Sequence, residues 1–243
     1  MNDLATNRFR SRGIVLDEQV YGESSKILRI FTRDRGKLAV MAKGALRAKS
    51  SILSLSQPML EGDYLFSMGK TFAYIHEGKI IKDHYKLKND FRAMVAGTFI
   101  LEVLDKSLEY GQVNTKMYDL VDKTLSQLEE GFSRTLINAF LIKGLTFLGY
   151  RPMIGKKSKF IGNSTRYFDP KSGIIEYGLK AGKGRIIQEE DLDYIEKILY
   201  NPLDDLPGSN TCDEHWVFDL LMDLLYTHLD LTKINSYDLL ATF

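Results

Sequence analysis

Gly13-Ile14-Val15-Leu16, then Tyr21-Gly22-Glu23-Ser24-Ser25-Lys26-Ile27-Leu28-Arg29-Ile30-Phe31-Thr32, then Gly36-Lys37-Leu38-Ala39-Val40-Met41-Ala42-Lys43-Gly44-Ala45-Leu46-Arg47-Ala48-Lys49: this stretch decides the fold of the first third of the chain. Three short runs rich in Ile, Val and Leu are separated by Tyr-Gly-Glu-Ser and by Asp34-Arg35-Gly36-Lys37, which reads as three strands joined by tight turns. Residues two apart in a strand point the same way, so Leu38, Val40 and Ala42 are expected inward and Lys37, Ala39, Met41 and Lys43 outward. Further runs at Tyr64 to Ser67 and Thr71 to Ile81 follow, and Phe72, Tyr74 and His76 share one side of the latter. Five short strands in about eighty residues suit a small Greek-key barrel.

From about Leu87 the apolar period becomes helical. Phe91, Met94, Val95, Thr98, Leu101, Leu104 and Leu108 follow three-and-four spacing, as do Met117, Leu120, Val121, Thr124, Leu125 and Leu128. A third stripe holds Leu136, Ile137, Phe140, Leu141, Gly144, Leu145 and Leu148, with Gly111 and Gly131 as stops between the runs. These three amphipathic helices are expected to pack on one another as a bundle. Helices resume at about Glu189 to Tyr200 and Asp213 to Leu229, after a Gly- and Lys-rich segment.

With 243 residues the chain can bury a sizeable core in one or two domains. Its formal charge of +1 hides a strong asymmetry. Residues 1–82 carry fourteen Lys and Arg against eight Asp and Glu, and residues 150–185 nine against two; residues 186–243 carry two against thirteen. Two basic regions are thus offset by an acidic end, and basic regions attract polyanions. The single Cys212 rules out an internal disulfide, and with four His it argues against a four-ligand zinc site. Met1 to Arg12 lacks an apolar signal core, and no run approaches membrane-spanning length, so a cytoplasmic protein with no membrane contact is expected.

Catalytic patterns are missing. Gly182-Lys183-Gly184 lacks the rest of a phosphate loop, because Tyr177 and Gly184 stand where Gly and Ser or Thr are needed. There is no Gly-x-Ser-x-Gly elbow and no His-Glu-x-x-His pair, and His215 and His228 read as helix residues. Glu189-Glu190 and Asp204-Asp205 fit a first helical turn and a loop rather than an acid–base dyad. We expect no catalysis, no cofactor and no metal.

Lys26, Arg33, Arg35, Lys37, Lys43, Arg47 and Lys49 cluster at turns and at the Gly-Ala-Leu-Arg-Ala-Lys loop with few acids among them. They are candidates for DNA phosphate contact, the alternative being a solvated surface. If about five phosphates were neutralised, log affinity for a single strand would fall with log salt at a slope near −3.5. Phe31, Phe72, Tyr74 or Tyr64 could stack on bases, or fill the barrel as core. With no fixed polar pattern beside them, binding without sequence preference is expected.

The same residues carry a family resemblance. The Gly-Ile-Val-Leu opening, Tyr-Gly-Glu-Ser-Ser-Lys-Ile, the Gly36-Lys37 turn, Ala42-Lys43-Gly44-Ala45, Ser56-Gln57-Pro58, Phe147-Leu148-Gly149-Tyr150-Arg151-Pro152 and Tyr167-Phe168-Asp169-Pro170-Lys171-Ser172-Gly173 resemble the bacterial RecO family in order and spacing. The resemblance spans nearly the whole chain. It selects the OB type among barrels and implies an α+β architecture: an OB-fold domain over residues 1–82 and a helical domain over residues 83–243, with an irregular zinc-finger-like insertion at about 150–185. Many RecO proteins hold zinc there with four cysteines. This chain has none in that segment, so metal is expected to be absent, with packing by Ile161, Tyr167, Phe168, Ile174, Ile175 and Tyr177 in its place. The nine cations from Arg151 to Arg185 form either a second nucleic-acid surface or a solvated loop.

The resemblance further implies a non-catalytic mediator of recombinational repair that binds single- and double-stranded DNA, anneals complementary strands and helps load RecA. Its implied protein partners are RecR, on the N-terminal domain, and the acidic, Phe-ended tail of the single-stranded DNA-binding protein, on the helical domain. Arg134 and Lys143, beside the Leu136 to Leu148 helix, are candidates for gripping that tail or else ordinary surface cations. An RNA-binding module built on the same barrel is the alternative function, told apart by a preference for the 2′-hydroxyl.

Overall fold

The computed structural model describes residues 7–154, 165–169, 174–178, 185–208, 212–229, 231 and 233–243. The first five strands are β1 (Arg8–Tyr21), β2 (Ser25–Thr32), β3 (Gly36–Ala42), β4 (Glu61–Met68) and β5 (Ala73–Lys82), with a one-turn helix α1 (Ser51–Ser54) between β3 and β4. They close into a barrel of order β1-β2-β3-β5-β4, antiparallel throughout except for the short β3–β5 closure at Val40–Ala73 and Met41–Tyr74. This is the OB-like barrel the sequence pointed to. Leu28, Ile30, Leu38, Val40, Ala42, Tyr64, Phe66 and Ile75 fill it. Tyr64 and Phe31 are fully buried, so both rings are core and not free to stack on a base.

β1 runs fourteen residues, well beyond the Gly13 to Leu16 run read as a strand. Arg8, Arg10 and Arg12 hide the alternation from a hydropathy reading. Phe9 nevertheless packs against the core and Ser11 is buried, which places the three arginines on the outer side.

Two helices follow, α2 (Phe91–Ser107) and α3 (Thr115–Leu128). The Asp90 carboxylate accepts the amides of Arg92 and Ala93, and Asn114 accepts that of Met117, so each start is capped. The expected single bundle of three helices is corrected here. By compactness the chain divides into one unit of residues 1–132 with 234–243, and a second of residues 133–233. α2 and α3 belong with the barrel, because the outer face of β2 and β3 is itself partly apolar and needs a cover. Phe31 meets the Tyr118 ring at 5.7 Å between centroids, and the Tyr118 hydroxyl donates to the buried Glu61 carboxylate at 2.8 Å, which also pairs with Arg12 at 2.9 Å. Burial, then the Glu61 charge, raises the Tyr118 pKa, which keeps the hydroxyl a donor. A short last helix, α7 (Tyr237–Leu240), returns to this unit, its lead-in amides of Asn235 and Ser236 bonded to Glu102 at 2.7 and 3.0 Å.

The second unit contains α4 (Arg134–Phe147), α5 (Glu189–Tyr200) and α6 (Glu214–Leu229). Its buried Asn138 amide donates to the Tyr194 hydroxyl at 3.2 Å and to the Glu214 carbonyl at 3.0 Å. Between α4 and α5 lie β6 (Met153–Ile154), β7 (Thr165–Asp169), β8 (Ile174–Gly178) and β9 (Arg185–Ile187), a sheet of order β6-β8-β7-β9. Of the six residues expected to pack there, Phe168 is described and is buried. Ile161, and the side chains of Tyr167, Ile174, Ile175 and Tyr177, lie outside the described residues. No helix among the described residues is long and apolar enough to cross a membrane.

Candidate nucleic-acid interface

The fold divides the seven cations between opposite ends of the barrel. Lys26 and Lys43, Arg47 and Lys49 gather where β2 begins and β3 ends, since Lys26 is paired with Ala42. Arg33, Arg35 and Lys37 lie at the β2–β3 turn. β2 separates the two groups by roughly 24 Å, the seven steps from Lys26 to Arg33 at about 3.4 Å each.

Neither group is uniform. Lys26 is 5% exposed and its ammonium is bonded to Glu18. Lys37 is also 5% exposed: its ammonium donates to the Asp105 carbonyl, lies 3.6 Å from the Asp105 carboxylate and sits 4.6 Å over the Tyr110 ring. Burial lowers its pKa, with Asp105 opposing. The outward position expected for Lys37 and Met41 was thus correct in direction, but the outside of β3 is roofed, and both are buried. Arg33 is committed to Asp119 at 3.0 Å, which raises its pKa through the hydrogen bond and charge of that carboxylate. Arg35 is exposed, its guanidinium 4.1 Å from the Phe9 ring centroid.

Lys43, Arg47 and Lys49 are exposed, with no ion pair among the described residues. Their loop is held, not loose. The Leu46 amide donates to the Ser24 carbonyl at 2.9 Å, the Gly44 amide to Ser25 Oγ at 3.1 Å, and the Arg47 amide to the Gly44 carbonyl at 3.1 Å. Lys49 takes a left-handed backbone, φ 64°, which costs a non-glycine residue about 1 kcal/mol or more and is met most often at functional positions. Tyr21, 55% exposed, stands at the hairpin end to which this loop is bonded. A fixed loop carrying three unneutralised cations beside an exposed ring can follow a phosphate backbone without reading sequence.

These different settings predict different outcomes. Lys37→Met removes the donor to Asp105 and should lower the free energy of unfolding by about 2 kcal/mol. It should leave the salt slope of oligonucleotide binding unchanged. Denaturant titration and fluorescence anisotropy check the two halves.

In the second unit Arg134 is 5% exposed, with its guanidinium 4.5 Å from the Phe218 ring centroid. The Lys143 ammonium donates to the carbonyls of Leu199 at 2.8 Å and Asn201 at 2.7 Å, closing the C-terminus of α5, and burial lowers its pKa. Both cationic groups are thus turned to partners within this unit. Of the nine cations in residues 150–185, Arg151 alone has a described side chain, lying 5.0 Å from the Tyr200 ring centroid. The remaining eight fall outside the description.

A cleft of about 710 Å³ opens in the first unit between β1, α2 and the returning segment. Arg29 is paired there with Asp17 and Asp105, and Glu102 with Lys106, so its charged groups are engaged with one another.

Arg8, exposed on β1, and Lys70, exposed in the β4–β5 turn, were overlooked by the sequence reading. The Arg8-x-Arg10-x-Arg12 spacing held the signal, since period two in a strand puts all three on one face.

Comparison with known proteins agrees with this architecture. The family model described as Recombination protein O N terminal matches residues 6–84, and that described as Recombination protein O C terminal matches residues 88–238. A DNA repair protein RecO from Listeria welshimeri is 31% identical over 170 residues, 68% of this chain and 66% of that protein. One from Bacillus cereus is 34% identical over 141 residues, 58% of this chain and 57% of that protein. Another from Alkaliphilus metalliredigens is 26% identical over 251 residues, 95% of this chain and 97% of that protein. With both family models matched in order across nearly its whole length, this chain belongs to the RecO family.

Proposed function

We propose that this protein serves DNA repair as a recombination mediator. It binds single- and double-stranded DNA, anneals complementary strands and assists RecA loading with RecR and the single-stranded DNA-binding protein. The observation that carries the DNA-handling part is the loop with Lys43, Arg47 and Lys49, exposed and in no ion pair among the described residues, on an OB-like barrel in a RecO-family chain. Cations placed there lower the repulsion between two phosphate backbones and leave base edges free to pair. In this reading DNA handling belongs to residues 1–82, and recruitment through the acidic tail belongs to the helical part within residues 83–243. With the cationic groups of Arg134 and Lys143 turned to internal partners, the tail is gripped by other residues. The site of action is the nucleoid.

The test is annealing of two complementary oligonucleotides coated with the cognate single-stranded DNA-binding protein, either intact or lacking its acidic tail. Acceleration that requires the tail is expected. Acceleration regardless of the tail would remove recruitment from the proposal, and none at low salt would remove the mediator role itself.

A further inference from the structure

OB-folds take oligonucleotides on the face of strands 2 and 3 with the adjoining loops. In this chain that face is occupied. Of the residues pointing outward from β2 and β3, Arg29 is ion-paired with Asp105 of α2 at 2.8 Å, Phe31 packs on Tyr118 of α3, and Lys37 is held by Tyr110 and Asp105. A strand of DNA cannot reach it without displacing the helices.

The opposite side of the barrel is open. Ala73 and Ile75 point into the core, so Tyr74 and His76 point out from β5. By the same alternation Ser67 points out from β4, beside the core residue Phe66, and Arg8 from β1, beside Phe9. Register puts these residues in one row, Met41 opposite Tyr74, Tyr74 opposite Ser67, and Ser67 opposite Arg8, of which Tyr74 and Arg8 are exposed and Met41 and Ser67 are buried. Directly opposed residues share a face and are neighbours. The row is about 14 Å wide across four strands. Lys43 lies two residues beyond Met41 at one end, and Arg8 closes the other, with Lys70 in the adjoining turn. All three cations are exposed, with no ion pair among the described residues.

Tyr74 is 36% exposed, and its ring lies across the β4–β5 turn. A Cβ at Gly69 would come within 2.7 Å of the ring, so the glycine lets the ring rest on the turn. His76 is held by Ser67 Oγ at 2.7 Å. Rings fixed before binding lose little freedom when a base stacks on them.

We propose that a single strand passes the end of β3 at Lys43 and crosses the β5–β4–β1 face, stacks a base on Tyr74, and sets flanking phosphates on Lys43 and on Arg8. This rests on the reading of the chain as a DNA-binding mediator and names the path within it. It also joins the 43–50 loop to Arg8 at the start of β1, whose neighbours Arg10 and Arg12 are paired with Asp63, Glu77 and Glu61.

The test uses the full chain and a thymidine oligonucleotide, with a second oligonucleotide carrying 2-aminopurine. Tyr74→Ala should weaken binding by about 5- to 150-fold, the range given by about 1–3 kcal/mol for one stacked base. It should also abolish the quenching of 2-aminopurine, and Tyr74→Phe should restore both. Arg8→Gln, at an exposed position, should flatten the salt slope by about 0.7. If Tyr74→Ala and Arg8→Gln bind as the parent does while loss of Lys43, Arg47 and Lys49 weakens binding, the path is overturned and DNA binding stands. If the parent chain itself fails to bind the oligonucleotide at low salt, the DNA-binding reading falls and the path with it.

Discussion

Gly36→Ala should lower the free energy of unfolding by about 3 kcal/mol or more, among the largest losses open to a single methyl group in this chain. Gly36 has φ +68°, a region in which a Cβ alone costs about 1–2 kcal/mol. The surroundings add the larger share. A Cβ here would lie 2.2 Å from the Gln112 carbonyl oxygen and 2.8 Å from its amide nitrogen, so the loop after α2 has to move. That loop is bound to the turn it would leave. The Gly111 amide donates to the Lys37 carbonyl at 3.0 Å, and Tyr110 supplies the ring under the Lys37 ammonium. Displacing it strips a buried cation of part of its cover. Gly22→Ala is the matched control: φ is +61°, yet nothing lies within 4 Å of the added carbon. It should cost only about 1 kcal/mol. Denaturant midpoints of the two variants decide the matter, and equal losses would mean that the loop contact contributes nothing.

Replacing Lys43, Arg47 and Lys49 together with Ala is expected to weaken binding to any single-stranded oligonucleotide by about 100-fold at 0.1 M salt. Each phosphate contact contributes about 0.7 to the slope of log affinity against log salt, so three flatten it by about 2. With affinity extrapolated to 1 M unchanged, that slope corresponds to two decades at 0.1 M. All sequences should lose affinity alike, because phosphate contacts carry no base information. The fold should survive, since the three side chains are exposed and the loop's hydrogen bonds are made by backbone groups and Ser25. An unchanged slope would move the interface off this loop. The contrast with Lys37→Met is the diagnostic part: one substitution disturbs the fold and spares the slope, the other the reverse.

Much of this was legible in the chain itself. The period-two runs placed five strands and the inward set Leu38, Val40 and Ala42, and the three-and-four stripes placed α2 to α4, because burial of one face imposes those periods whatever the partner. The caps at Asp90, Asn114 and Ser133, whose side chains accept a backbone amide, are a local signal beyond the apolar stripes that placed these helices. Charge asymmetry pointed correctly to the loop after β3 as a run of exposed cations.

The sequence could not say which cations are spent on the fold. Lys26, Lys37 and Arg33 carry the same charge as Lys43, Arg47 and Lys49, and they differ only in having Glu18, Asp105 and Asp119 beside them. Asp105 and Asp119 are 68 and 86 positions away from the cations they engage. Nor could it show that α2 and α3 would cover the outer face of β2 and β3, since an amphipathic stripe declares that it must be buried and not against what. Pairing at that range is set by how the barrel closes and by which of its faces is apolar enough to recruit helices. Local periodicity therefore determined the elements and their inner faces, and tertiary packing alone decided which outer face stayed open.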